Sequence, residues 1–120
     1  MPEPRGARPV RAISIRQPYV ELILRGKKMW EYRSRPTNIR QRVYLYAGLR
    51  PADSPAAWRK VAKHPGELST GVIVGSVEIT NCRWDVRNDR YACKLRNPRR
   101  LKKHLFAKNQ PTPCFWRPWF

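Results

Sequence analysis

Acidic side chains are scarce in this chain: eight Asp and Glu stand against twenty-six Lys and Arg, a net charge of +18. Self-repulsion on that scale works against a compact state unless a polyanion relieves it, and nucleic acid is the commonest such partner. Cysteine is sparse too. Cys82, Cys93 and Cys114 are widely spaced, and the two histidines, His64 and His104, stand far apart. That spacing excludes a standard zinc motif. An odd cysteine count with no signal peptide points to buried thiols in a reducing compartment, so the expected location is the cytoplasm, or the nucleus of a eukaryotic cell. No apolar run approaches the ~20 residues that cross a bilayer, and no long amphipathic cationic helix suits a membrane surface. Neither GxGxxG nor GxxxxGK[ST] occurs, which removes the common phosphate-cradling loops. No metal and no cofactor is expected.

What is present suits one small domain. A chain of 120 residues fits a single domain and buries roughly 65% of its unfolded surface, enough for one modest core. Five Trp, five Tyr and three Phe supply large units of burial or base stacking. Twelve Pro argue for a loop-rich frame with little helix. Residues 1–9, MPEPRGARP, read as a loose arm, and residues 10–120 as one domain. The chain opens on methionine and holds little beyond that domain, so a complete small protein is expected.

Along the chain, VRAISIR alternates as a strand, with Ile13 and Ile15 on one face. Pro18 suits a helix's first turn, and Tyr19, Val20, Ile23 and Leu24 recur at helical spacing. Gly26 closes that helix as a C-terminal glycine cap. KMWEYRS alternates again: Met29, Glu31 and Arg33 share one face, and Lys28, Trp30, Tyr32 and Ser34 the other. RVYLYAG is a strand with Val43 and Leu45 opposite Tyr44 and Tyr46. Ser54-Pro55 caps a second helix through AAWRKVAK, with Trp58, Val61 and Ala62 directed at the core. GVIVGSVEITNC is the strongest strand signal, and Gly75 inside it predicts a bulge, a bend or a close backbone approach. YACKL is a strand, NPRRLKKHLFAK a short helix or a basic loop, and CFWRPWF a closing strand broken by Pro118. The order is an α+β pattern, a curved sheet carrying a few short helices.

Three constellations carry chemistry. Arg96, Arg99, Arg100, Lys102 and Lys103 form one basic run; Arg35, Arg40 and Arg42 form another. Each such residue that meets a phosphate releases counterion. Aromatic rings lie among these cations; Tyr44, Tyr46 and Trp58 read as core, whereas Trp30 and Trp84 are open to base stacking. Finally, Glu31 is set among Lys27, Lys28 and Arg33, with Ser14 and Gln17 nearby across the first helix. A lysine among cations can be tuned toward base or nucleophile, and a carboxylate beside it can accept a proton or an amino group. The same residues could equally form an ion network that fixes strand to helix.

These residues bear a family resemblance. SIRQPYVELILRGKKMWEYRS is similar to the signature of the activating signal cointegrator homology (ASCH) domain, S-x-[RKH]-Q-P-[WY] followed by G-x-K-x-x-E-x-R. Ser14, Gln17, Pro18 and Tyr19 match the first part, and Gly26, Lys28, Glu31 and Arg33 the second. RVYLYAG, GVIVGSVEITNC, YACKLRNPRRL and CFW resemble later family segments, so the likeness spans roughly residues 10 to 117. It implies a PUA-like fold, a small, partly open β-barrel of five or six strands with two or three short flanking helices. It implies a cleft between barrel and first helix, floored by Lys28, Glu31 and Arg33, and binding of RNA or other nucleic acid. One enzymatic branch of the family deacetylates acetylated cytidine with a threonine three residues after the lysine. Glu31 occupies that position here, which argues against the same reaction.

The leading expectation is a nucleic acid binding module, with RNA or a single strand favoured over DNA. Its expected contacts are Ser14, Gln17, Lys27, Lys28, Glu31, Arg33, Arg40 and Arg42. Trp84 and the run containing Arg99, Arg100, Lys102 and Lys103 complete them. One alternative is a metal-independent ribonuclease or amidohydrolase using Lys28 and Glu31. Another is a module that binds an acidic protein partner.

Overall fold

The structure, a computed structural model, describes residues 8–120. The arm expected over residues 1–9 lies outside the described residues except for Arg8 and Pro9. The elements run β1 (Ala12–Ile15), α1 (Tyr19–Leu24), β2 (Trp30–Arg33), β3 (Arg42–Ala47), α2 (Pro55–Val61), β4 (Val72–Asp85), β5 (Arg90–Leu105) and β6 (Phe115–Trp116). The strands make one six-stranded sheet in the order β2-β5-β4-β3-β1-β6. Only β1 and β3 pair in parallel; the other neighbours are antiparallel. This is an α+β fold, a curved sheet not closed into a complete barrel, with two short helices.

Curvature has a local cause. Register shifts interrupt β3–β4 once and β4–β5 three times, and each such irregularity bends a strand and adds twist. The two long strands therefore wrap around a core instead of lying flat. Alternation decides which side chains enter it. Ile13, Ile15, Val43 and Leu45 join Val77, Ile79, Cys93 and Leu95 in the main cluster. Tyr44, Tyr46, Ala12 and Trp116 pack together on the opposite face, as the period-two reading expects.

Gly75 meets two of its predicted reasons at once. It sits beside the shift between Ile73 and Gly75, and a Cβ there would lie 2.5 Å from the Arg99 carbonyl oxygen and 2.6 Å from Leu24 Cδ2. Gly26 closes α1 with φ +74. Its N–H donates to Ile23 O and that of Lys27 to Leu22 O, both at 2.9 Å, which is the Schellman arrangement that satisfies the last carbonyls. Ser54 caps α2 by accepting the Ala57 N–H.

Two expectations are corrected. The basic segment after Asn97 is neither helix nor loop: it continues β5 as far as Leu105. Pro98 is tolerated because Arg96 pairs Glu78 and Arg99 pairs Ser76, leaving Asn97 and Pro98 opposite Val77 alone. Asn97 takes a positive φ of 51°, and a proline at such a bulge owes the ladder no hydrogen bond. Ala62 does not face the core. It is the exposed left-handed C-cap of α2 with φ 55°, so only Trp58 and Val61 of that group are buried. Among the described residues no helix is long and apolar enough to cross a membrane.

Candidate nucleic-acid interface

The glycine turn after α1 sets the site. Because Gly26 reverses the chain, the N–H groups of both Lys27 and Lys28 return to Leu22 O, and β2 leaves along the sheet edge beside β5. Its register is Trp30↔Lys94, Glu31↔Cys93, Tyr32↔Ala92 and Arg33↔Tyr91. Alternation then sends Glu31 and Arg33 inward and Trp30 and Tyr32 outward. On the inner side the Arg33 guanidinium lies over the Phe115 ring, 4.7 Å from its centroid. On the outer side Trp30 lies between Lys94 at 4.6 Å and Arg83 at 5.9 Å.

Lys28 reaches around the strand edge and joins the two sides. Its Nζ donates to Trp30 O at 2.6 Å, sits 3.5 Å from Glu31 Oε1, and lies 5.5 and 5.4 Å from the Tyr19 and Tyr32 ring centroids. Lys28, Glu31 and Arg33 thus meet in space. Burial pushes the Glu31 carboxyl above its ordinary range; the charge and hydrogen bond of Lys28 and the charge of Arg33 oppose this without cancelling it. Arg33 makes no ion pair with it, and Arg33 Nη1 is a buried donor without a partner among the described residues.

A cleft of about 580 Å³ opens between α1, β2 and α2. Tyr19, Trp30 and Tyr32 give it aromatic walls, and Lys27, Lys28 and Lys60 give it charge. Here the expected geometry needs correction. Lys28 lines this cleft, but Glu31 and Arg33 do not; the pleat of β2 turns them to its other side. A second hollow of about 570 Å³ beside α2, lined by Trp58, Arg59 and His64 among others, adjoins this cleft at Ser54 but includes none of Lys28, Glu31 and Arg33.

The remaining expected contacts divide sharply. Ser14 Oγ accepts the Trp116 indole N–H at 3.0 Å. Gln17 is buried, donating to Ser69 O and accepting the Glu21 N–H. Arg40 is bonded to Thr37 O and Ile39 O. Arg42 holds Ser76, Glu78 and Asn97 O together. Arg100 grips both oxygens of Glu21 at 2.9 Å. These five are engaged in the fold.

Lys27, Arg99, Lys102 and Lys103 are exposed and enter none of the ion pairs among the described residues. Arg100 pairs Gly75 and Leu105 pairs Ile73, so residues 101–104 stand against Val74 alone as a bulge, with Leu101 packed against the core and Lys102 and Lys103 exposed. Trp84 is 48% exposed, edge-on to Tyr91 at 5.1 Å. Sequence reasoning missed Lys60, Arg83 and Lys94. Alternation in YACKL and its partner strand could have set Lys94 and Arg83 beside Trp30; nothing local could have brought Lys60 across from α2.

The sequence model of the ASCH domain matches residues 13–105. The chain belongs to the ASCH domain family. The match runs from within β1 to the end of β5 and leaves β6 outside. A search of curated proteins finds no match. In this ASCH domain the G-x-K-x-x-E-x-R residues lie on the α1–β2 turn and the β2 edge, on both sides of one strand. Among the described residues no group of His, Cys, Asp or Glu gathers as metal ligands.

Proposed function

We propose that this ASCH domain binds nucleic acid as its principal activity, with single-stranded RNA the preferred polymer. The observation that carries this reading is the cleft at Lys28, where three lysines and three aromatic rings line one hollow. Ammonium groups meet phosphates and release counterions; rings of this kind stack unpaired bases at about 1–3 kcal/mol each. Arg99, Lys102 and Lys103 supply a second cationic patch that tracks the backbone. Glu31 and Arg33 lie on the other side of β2 from this cleft; Glu31, 3.5 Å from Lys28 Nζ, fixes the ammonium that meets the ligand.

Fluorescence anisotropy with labelled single-stranded RNA tests the reading. If about four phosphates are neutralised, affinity falls roughly 50-fold between 50 and 200 mM salt. Reversing charge at Arg99, Lys102 and Lys103 together weakens all sequences alike and flattens the slope. Tyr32→Ala instead weakens binding by about 1–3 kcal/mol and leaves the salt slope unchanged. Affinity that is flat in salt sinks the proposal.

A second reading rests on Glu31, a carboxyl raised by burial beside a lysine, which is a pairing used in acid–base chemistry. It predicts cleavage of labelled RNA in EDTA, or acetate release from acetylated cytidine. Both substrates left intact at high protein concentration would dismiss it.

A further inference from the structure

Cys82 and Cys93 are register partners on β4 and β5. Partners in an antiparallel pair have Cα atoms about 4.5–5.5 Å apart, inside the roughly 4.4–6.8 Å window a disulfide requires. The ladder is unbroken from Asn81↔Lys94 to Asp85↔Arg90, so neither cysteine can slip out of line. Their side chains share a face, and Cys93 Sγ donates to Cys82 Sγ at 3.0 Å. Cys114, half-buried, contributes no sulfur contact among the described residues.

We infer that Cys82 and Cys93 are a reversible thiol-oxidation site, which a small-molecule disulfide such as oxidised glutathione converts to a cross-strand disulfide. This stands apart from the nucleic acid reading and does not depend on it. The half-buried Cys82 is the accessible sulfur; Cys93 is fully buried. Burial, with Cys82 beside it, pushes the Cys93 thiol up to about 12, so the first attack falls to Cys82. The Cys82 thiolate attacks one sulfur of the oxidant, expels one thiolate and forms a mixed disulfide. Cys93 then attacks the Cys82 sulfur and expels the second thiolate, which carries away the Cys93 proton as the small thiol. Two protein thiols are oxidised, and one small disulfide is reduced to two thiols. The new bond ties the hairpin across ten intervening residues, 83–92, in the same cross-strand row as Glu31.

The test uses the full chain, reduced and then exposed to oxidised glutathione, quenched with acid and alkylated. Trypsin cuts after Arg83, Arg87 and Arg90, so the two cysteines leave on separate peptides unless bonded. Two of the three thiols should disappear, a linked Cys82–Cys93 peptide should appear, and dithiothreitol should reverse both. The oxidised form should melt roughly 5–10 °C higher. Cys114→Ser should behave as the parent. Cys82→Ser, at a half-buried position on the margin of the core, should form no link and show no shift on oxidation. Three alkylated thiols, glutathione retained on Cys82 of the parent, or a link through Cys114 would each overturn the assignment.

Discussion

At the junction of α1 with β5, Glu21 is enclosed by two guanidinium groups; at the β2 edge, Glu31 has one ammonium at 3.5 Å. Both are glutamates in a strongly cationic chain, yet they titrate in opposite directions. Burial works to raise Glu21, but the hydrogen bonds and charges of Arg100 and Arg25 outweigh it and hold the carboxyl below its ordinary range. Burial of Glu31 wins over Lys28 and Arg33. The difference lies in satisfaction. Arg100 and Arg25 deliver short bonds to both oxygens of Glu21, while Lys28 gives its closest bond to a backbone carbonyl and Arg33 keeps a donor in reserve. A fully bonded buried charge serves architecture; an incompletely bonded one is available to a ligand.

The contrast can be broken at either end. Glu21→Gln should cost roughly 2–3 kcal/mol, since the carboxylate charge shared by three contacts is removed and an amide NH2 is turned toward a guanidinium; Arg100 is half exposed, which keeps the penalty below that of a fully buried pair. Urea unfolding measures it, and a loss under about 0.5 kcal/mol would show that Glu21 is incidental. Lys28→Met should weaken RNA binding about tenfold, or about 1.4 kcal/mol, with a smaller loss of stability. Unchanged affinity in anisotropy would remove Lys28 from the interface. Glu31→Gln should shift stability by less than about 1 kcal/mol, because the neutral amide escapes the burial penalty of the ion, and should weaken RNA binding less than Lys28→Met, since it acts only through the placement of Lys28.

The subtlest test is the pH series. A lowered carboxyl binds fewer protons folded than unfolded, so the contribution of Glu21 is present above the ordinary glutamate value of about 4.3 and lost as pH falls through the folded value. A raised carboxyl does the reverse. Stability should drain as pH rises from about 4.3 through the folded value of Glu31. In midpoints measured against pH, Glu21→Gln should flatten the acid limb and Glu31→Gln the slope above it. Identical profiles for the two variants would erase the distinction.

Much of this fold was legible because local and global preferences agree. The alternation of VYLY assigned Val43 and Leu45 to one face and the tyrosines to the other, as found. Gly26 foretold the helix end, and the turn found there lets Lys28 reach Glu31. Legibility failed where tertiary context overrode local signals. Pro98 and four neighbouring cations disguise a strand, because the bulge that accommodates them is set by β4. Spacing could place Glu31 and Arg33 together but not say which side of β2 the hollow occupies. That depends on where α2 docks, through Trp58, Val61 and Leu22.

Residue 75 couples these regions mechanically. The Arg99 carbonyl and the Leu24 methyl converge on the space its missing side chain leaves, so the seating depth of α1 is gauged by a clearance one methyl group wide. Filling that gap would lift the helix like a shim under a hinge leaf. Glu21, near the start of the helix, and Lys28, just beyond its end, would shift together.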